Sequence, residues 1–181
     1  MRILLHVCCA PCSIMFIKEI KKINLDLTLF WYNPNIYPSE EYCARKSSFE
    51  KFVSDMGLNV QYDKDNLRKD IDDNFQTFIN SINIKNRCEG CYTLRIKKTS
   101  ITAKEEHFTY FSTTLLVSPY QKHDLICEVS RKLSDKYKIK FFYKDFRPSF
   151  RQGQAEARKL GLYIQNYCGC CFSRKLDRLP S

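Results

Sequence analysis

The chain has 181 residues and a formal net charge of +10, with 30 Lys and Arg against 20 Asp and Glu. Because 44% of the residues are hydrophobic and 28% are charged, the composition is typical of a globular chain and excludes an intrinsically disordered one. No apolar run reaches the roughly 18 residues that a membrane-spanning helix needs, so such a helix is excluded too. The basic balance favours a polyanionic partner, nucleic acid first and an acidic membrane surface second, unless the genome simply favours lysine.

Strand-like and helix-like segments alternate along the chain. In chain order, the patterns predict a strand over 2–7, a helix over 13–22, a strand over 26–32, a helix over 39–56, a strand over 59–62, helices over 74–82 and 95–106, a strand over 109–118, a helix over 122–137, a strand over 139–143 and a helix over 152–160. Such alternation predicts parallel β-α-β units in a three-layer α/β sandwich with a mostly parallel sheet. No linker interrupts residues 1–181, so we expect a single domain.

Several unusual residues directly follow the predicted strands. Cys8, Cys9 and Cys12 follow the first strand, and the segments 33–35, 118–121 and 145–148 follow three others. In open α/β sheets ligands bind at the carboxyl ends of the strands, so we expect these four loops to converge on one functional site. Polar, Pro-rich loops also occur without any function, and it is the cysteines that favour a site here.

The cysteines are the most informative feature of the sequence. Most of the ten fall into three groups, Cys8-Cys9-Ala-Pro-Cys12, Cys88-Glu-Gly-Cys91 and Cys168-Gly-Cys170-Cys171. The amino-terminal stretch enters the first group instead of a signal-peptide cleavage site, so we expect a cytoplasmic, reducing location in which cysteines are metal ligands or redox groups. Cys43 and Cys127 stand alone inside predicted helices, where we expect buried small hydrophobes.

Three kinds of chemistry are open to these thiols. Distant C-x-x-C pairs can complete a four-thiolate zinc site, as in a structural-zinc RNA-binding module. The adjacent Cys8 and Cys9 fit an iron–sulfur cluster better, since neighbouring sulfurs can bind different irons, and we favour that site. Cys9-Ala-Pro-Cys12 also has the form of a redox dithiol, which would make the chain a thiol-dependent sulfurtransferase or disulfide oxidoreductase. The sequence contains no P-loop and no G-x-G-x-x-G motif.

Other residues are weighed as substrate contacts. His123 is either a proton donor at a strand end or an ordinary surface histidine. The aromatic loop over 31–37 either stacks a splayed base or belongs to the core. The basic stretch over 95–98 is either a track for tRNA phosphates or, as we favour, a solvated helix face.

The motifs, taken together, resemble one known family. They are His6-Val-Cys8-Cys9-Ala-Pro-Cys12, Asn33-Pro34-Asn35-Ile36-Tyr37-Pro38, Arg87-Cys88-x-x-Cys91-Tyr92, Ser118-Pro-Tyr-Gln121 with His123, Phe142-Tyr143-Lys144-Asp145-Phe146-Arg147-Pro148, and Tyr167-Cys168-Gly-Cys170. Their order and combination are similar to the cobalamin-independent epoxyqueuosine reductases, the QueH family. The resemblance implies a Rossmann-like α/β fold of the HUP type, in agreement with the alternation of strands and helices.

The resemblance also implies a reaction and a cofactor. Members of the family reduce the epoxide of epoxyqueuosine at the wobble position of tRNA to queuosine, with a 4Fe-4S cluster, a further iron beside it and no cobalamin. Carried over by position, the expected cluster ligands are Cys8, Cys9, Cys88 and Cys91. The residues expected to hold the second metal, to form a redox pair or to contact the substrate are Cys12, Cys168, Cys170, Asp145 and His123. Cys171 matches no motif, and the electron donor stays unknown.

Overall fold

One parallel sheet organises the fold. The computed structural model describes residues 1–63 and 71–174, and within them five strands pair in the order β3-β2-β1-β4-β5. The strands are β1 (Arg2–His6), β2 (Asp26–Trp31), β3 (Asn59–Tyr62), β4 (Tyr110–Thr113) and β5 (Lys140–Phe141), and each pairing is parallel. The chain moves outward through β2 and β3 and then returns to place β4 on the other side of β1. The topological switch point, where open sheets bind ligands, therefore lies between the carboxyl ends of β1 and β4.

Helices cover both faces of the sheet. They are α1 (Ala10–Lys22), α2 (Ser39–Met56), α3 (Ile71–Ser81), α4 (Arg87–Glu105), α5 (His123–Tyr137) and α6 (Phe150–Lys159). Ile3 and Leu5 pack in one core with α1, α2 and α6, and Leu4 packs in another with α4 and α5, as the alternation of side chains along a strand requires. The predicted three-layer α/β sandwich is confirmed. Among the described residues no helix is both long and apolar enough to cross a bilayer.

Four helices, α1, α3, α4 and α6, begin earlier than the sequence pattern predicts, and in α1 and α4 the difference concerns the cysteines. Helix α1 starts at Ala10, because Pro11 is tolerated in a first turn, where the N–H that proline lacks would have no helical partner. Ser13, the expected first residue, lies inside the helix and donates from Oγ to Ala10 O at 2.7 Å. Helix α4 starts at Arg87 instead of residue 95. Cysteines that the sequence placed in loops thus lie in the first turns of α1 and α4.

The last two strands are shorter than predicted, whereas α2 and β3 have the predicted bounds. Strand β4 ends at Thr113, whose side chain accepts from Leu115 N and caps a 3-10 turn over Thr114–Leu116. The residues of this turn are apolar or β-branched and their side chains are buried, so the sequence alone is typical of a strand. The backbone nevertheless turns there. The turn brings Thr114 beside the end of β1, at the switch point.

Candidate metal centre

Cys8, Cys9 and Cys12 bring three sulfurs together at the switch point. Cys8 lies between β1 and α1, Cys9 immediately precedes α1, and Cys12 lies in its first turn. Their Sγ atoms all lie within 4.8 Å of one another, and those of Cys8 and Cys9 are 3.7 Å apart. The amino-terminal end of α1 carries the positive end of the helix dipole, which favours the thiolate form of these residues.

Cys8 is also fixed to the neighbouring strand end. Its N–H donates to Thr114 Oγ1 at 3.0 Å, and the Thr114 hydroxyl donates to Cys8 Sγ at 3.2 Å. Hydrogen bonds from Cys12 and Cys9 hold the pKa of Cys8 well below its ordinary value. Burial raises the pKa of Cys9 to about 12, and the hydrogen bond to Cys8 raises the pKa of Cys12. Ionisation of one of these thiols thus opposes that of the others, and a metal cation among the three sulfurs would favour the thiolate form of each.

Cys88 and Cys91 enter the same region from α4. Their spacing of three residues places them on one side of its first turn. Cys88 lines the same cavity as Cys8, whereas Cys91 is buried in an apolar cluster with Phe75 and Phe78 of α3. Burial raises the pKa of Cys91. The Cys88 thiol is thus accessible from the cavity, whereas the Cys91 thiol lies behind the cavity wall.

The third cysteine group lies on a loop that Arg45 holds against α2. The Arg45 guanidinium is buried and donates from Nη2 to Tyr167 O at 2.8 Å and from Nη1 to Cys168 O at 3.3 Å. Its Nε donates to Glu41 Oε1 at 2.6 Å, which neutralises the buried charge. Cys168 lines the cavity, with its Sγ 2.8 Å from Ser173 Oγ. The fold therefore brings this loop back to the strand ends, as a role in the site requires.

The remainder of this loop is less accessible. Gly169 adopts a φ of +101° and accepts a hydrogen bond at its carbonyl from Tyr37 N at 2.9 Å. Cys170 is buried, and burial raises its pKa to about 12. Cys171, which matches no family motif, packs against the apolar cluster that contains Cys91. Of the three, Cys168 alone lines the cavity.

Buried polar atoms without partners surround the cysteines. Arg95 is 2% exposed and donates from Nη2 to Asn33 Oδ1 at 2.7 Å, while Nη1 lies 3.8 Å from Cys91 Sγ. Its Nε has no partner among the described residues, nor has Gln165 Oε1 or either amide atom of Asn35. Gln165 Nε2 lies 2.8 Å from Cys9 Sγ. Of these atoms, Arg95 Nε and Asn35 Nδ2 are donors. Desolvated donors are costly unless they face an acceptor or an anion, and a thiolate-ligated iron–sulfur cluster is both, so these two donors fit such a group.

A cavity of about 970 Å³ opens beside the sulfurs. Its volume lies in the upper range of small-molecule sites. The cysteines that line it are Cys8, Cys12, Cys88 and Cys168. Tyr92 in its wall donates from its hydroxyl to Gln121 Oε1 at 2.7 Å and accepts from Lys122 N at 3.2 Å. These bonds fix the loop after β4, and burial raises the pKa of Tyr92, so its hydroxyl keeps its proton at neutral pH.

Three of the four predicted loops meet at this site. The loop after β2 joins the other two through Asn33, whose Nδ2 donates to Val7 O at 2.8 Å. The loop over 145–148 instead borders a neighbouring groove. Neither His123 nor Asp145 lines the cavity: His123 Nε2 lies 3.3 Å from Tyr143 Oη, and Asp145 pairs with Arg147, which lowers the Asp145 pKa to about 2. That His123 and Asp145 contact the substrate stays a prediction, and this geometry does not support it.

Two other sequence interpretations have clear outcomes. Trp31 is a core residue that donates from Nε1 to Tyr42 Oη at 3.0 Å and stacks on Phe49. Cys127 is buried as predicted, but the prediction that Cys43 is buried is wrong, because its position on α2 faces solvent. Sequence reasoning missed Arg95 and Gln165 as neighbours of the cysteines. Arg95 follows Cys91 by one helical turn, and this spacing could have separated it from its solvated basic neighbours.

Comparison with known proteins identifies relatives over nearly the whole chain. Residues 3–176 match the family model described as Epoxyqueuosine reductase QueH. A protein of that name from Thermotoga maritima is 34% identical over 180 residues, which cover 94% of this chain and 89% of that one. Another of the same name, from Dehalococcoides mccartyi, is 31% identical over 177 residues, covering 95% and 92% of the two chains.

Two solved structures share the architecture. The U34-tRNA thiolase NcsA from Methanococcus maripaludis, determined with its [4Fe-4S] cluster, aligns with a TM-score of 0.61 at 16% identity, covering 96% of this chain and 61% of that one. A predicted subunit of tRNA methyltransferase from Methanocaldococcus jannaschii aligns with a TM-score of 0.54 at 13% identity, covering 87% and 74%. At these identities the likeness shows the fold alone.

Proposed function

Because the chain belongs to the epoxyqueuosine reductase QueH family, we propose that it reduces the epoxide of epoxyqueuosine in tRNA to the alkene of queuosine. Two electrons and two protons enter, both carbon–oxygen bonds of the epoxide break, and the oxygen leaves as water. The observation that carries this proposal is the meeting of three cysteine groups beside one cavity at the switch point of the sheet. The substrate is the wobble nucleotide of a cytoplasmic tRNA.

We assign the cysteines to two sets, each of which has members at the cavity and at least one member behind it. Cys8, Cys9, Cys88 and Cys91 would hold a 4Fe-4S cluster, since two of them are buried behind the cavity wall and two lie at its surface. Cys12 and Cys168 line the cavity and would hold a further iron, with Cys170 behind them. When bound, the cluster supplies electrons, and an iron with an open position acts as a Lewis acid on an oxygen. No cobalamin takes part.

The protein's own groups bind and orient the nucleotide. Glu41 is held between Arg45 and Tyr163, whose hydroxyl donates to Glu41 Oε2 at 2.6 Å, so a fixed carboxylate faces the cavity. A carboxylate in this setting accepts from substrate hydroxyls or from the donor edge of a guanine. A base must leave its stack to enter such a cavity, and enclosure of the reacting ring excludes bulk water. Tyr92 in the same wall donates its hydroxyl proton to Gln121 and so orients the loop after β4 at the edge of the cavity.

The test is anaerobic reconstitution with an iron count, an absorption spectrum and an assay of epoxyqueuosine conversion in tRNA. Cys8→Ser and Cys88→Ser should each lower iron content and reduce turnover by at least about tenfold, because a hard oxygen replaces a soft thiolate. Cys43→Ser is the matched control, since Cys43 is exposed on α2, away from the cavity lining. It should keep both iron and turnover.

Two outcomes would overturn this function. A colourless protein that holds one zinc and binds tRNA without turnover would be a structural-zinc RNA-binding module. Turnover of a thiol substrate that survives removal of iron would indicate a sulfurtransferase or disulfide oxidoreductase. Equal iron contents in the Cys43→Ser and Cys88→Ser variants would show that the ligand assignment is wrong.

A further inference from the structure

A basic groove adjoins the cavity on the side of α6. It has a volume of about 800 Å³ and shares Tyr120, Phe150, Gln154, Gln165 and Asn166 with the cavity, so the two form one continuous depression. Three arginines, Arg147, Arg151 and Arg158, line the groove, and the cavity lining does not include them. A bound polymer with one of its units in the cavity could therefore extend along this groove.

The groove arginines form a stripe on one side of α6. Arg151, Gln154 and Arg158 are spaced by three and four residues and so lie along one helix face, with Arg147 one turn before them. Arg151 and Arg158 are exposed, and neither forms an ion pair within residues 1–63 and 71–174. The acidic residue of the same helix, Glu156, pairs instead with Lys18 on α1.

Many other exposed cations are neutralised locally. Lys51 and Lys132 pair with carboxylates one turn away, at 2.6 Å each, on α2 and α5. Arg151 and Arg158 are not neutralised in this way, whereas Arg147 pairs with Asp145 at 2.6 Å. What distinguishes the two unpaired arginines from other unpaired cations is their position in a groove beside the proposed catalytic cavity. The two unpaired guanidinium groups of Arg151 and Arg158 in a concave groove complement a polyanionic backbone.

An aromatic residue stands where groove and cavity join. Tyr120 is 86% exposed, although it is large and partly apolar, and it contacts Phe150 edge to face at 5.8 Å. Exposed aromatic rings beside arginines are the platforms on which single-stranded RNA bases stack. An RNA loop is favoured over an anionic membrane because the basic residues line a groove that leads into a cavity of nucleotide size.

We propose that the α6 stripe, Arg147, Arg151 and Arg158, binds the phosphates of the tRNA anticodon loop beside the wobble nucleotide, and that Tyr120 stacks a neighbouring base. This interface rests on the proposed function, because that function supplies the RNA. It adds the surface that holds the loop while the modified base occupies the cavity.

The test compares two double charge reversals. Arg151→Glu with Arg158→Glu alters the stripe, and Lys97→Glu with Lys104→Glu makes the same change in charge on exposed positions of α4, on the opposite face of the sheet. Binding is measured by fluorescence anisotropy with an unmodified tRNA transcript over a series of salt concentrations. The stripe variant should raise Kd by about tenfold or more and lower the slope of log Kd against log salt concentration by about 1–2. The α4 variant should change neither quantity appreciably.

A second pair of variants isolates the stacking. Tyr120→Ala should raise the Kd and KM for tRNA by about fivefold or more, and Tyr120→Phe should restore both, since stacking needs the ring and not the hydroxyl. Equal weakening by the two double reversals, or a stripe variant with an unchanged Kd, would overturn the interface. A chain that binds tRNA through the stripe without reducing it would retain the interface while the proposed function fails. Iron content and circular dichroism establish that each variant is folded.

Discussion

Replacing Arg95 tests the electrostatics of the proposed cluster site. The guanidinium is 2% exposed and lies 3.8 Å from Cys91 Sγ. In the part of the chain that the structure describes, no carboxylate pairs with it. Arg95→Met removes the charge and keeps much of the side-chain volume, whereas Arg95→Lys keeps the charge. We expect Arg95→Met to lower the reduction potential of the bound cluster, because each added electron loses the attraction of a buried cation.

Coulomb's law sets the size of this effect. Two unit charges separated by the 3.8 Å between Arg95 Nη1 and Cys91 Sγ interact by about 4 kcal/mol at an effective dielectric constant of about 20. An electron that enters a cluster is shared over its irons and sulfurs, so we take about 1–2 kcal/mol of this, which corresponds to a shift of about 40–90 mV for one electron. In the cluster-free chain, the lost bond to Asn33 opposes the relief of a buried charge, so the thermal midpoint should move by only a few degrees.

The assay is an anaerobic redox titration at equal iron content, followed by the charge-transfer absorbance of the cluster. Arg95→Lys should keep the potential within about 20 mV of the wild type, since the cation is retained. The same potential in Arg95→Met and in the wild type would refute the electrostatic reasoning. If the reduction potential falls equally in Arg95→Met and Arg95→Lys, the cause is the lost hydrogen bond to Asn33 and not the lost charge.

Two further predictions concern the loop that carries the third cysteine group. Arg45→Ala frees the carbonyl of Cys168 and removes the cation that pairs with Glu41, so we expect turnover to fall by at least about tenfold with only partial loss of iron. Unchanged turnover would show that the position of Cys168 does not depend on Arg45. Gly169→Ala places a methyl group 2.9 Å from an Ile36 carbon at a φ of +101° and should lower the thermal midpoint more than Gly57→Ala, where the φ is +58° and nothing lies within 4 Å. Equal shifts in the two glycine variants would contradict the steric argument.

The sequence predicts the layers of this fold better than it predicts the site. The periods of the apolar residues identify the strands and helices, so the parallel sheet and the convergence of three of the four predicted loops follow from general rules of α/β topology. The predicted starts of α1 and α4 fall after Pro11 and Gly90, although proline is tolerated in a first turn and a helix accepts an interior glycine at modest cost. Local composition is a weak guide when tertiary packing holds a segment helical.

Burial on a helix depends on facing direction, which composition does not reveal. Arg95 belongs to a basic stretch and yet points inward, whereas the adjacent Lys97 is exposed. Cys43 has an apolar side chain and yet faces solvent, because Tyr42 and Phe49 occupy the inner side of α2. The two residues were misassigned for one physical reason: chemical character sets a preference, but the angle around the helix axis sets the environment.

The openness of the sulfur site favours catalysis over a structural metal. A structural zinc site is closed by four ligands and leaves no room for a substrate, whereas a catalytic metal site keeps an open position. Here Cys8, Cys12, Cys88 and Cys168 all line a cavity of about 970 Å³. Cys9 and Cys91 are buried behind them, beside the polar groups of Gln165 and Arg95. An anionic cluster held on the buried side, with thiols still facing the cavity, accounts for both the desolvated donors and the accessible sulfurs, and a single closed zinc site accounts for neither.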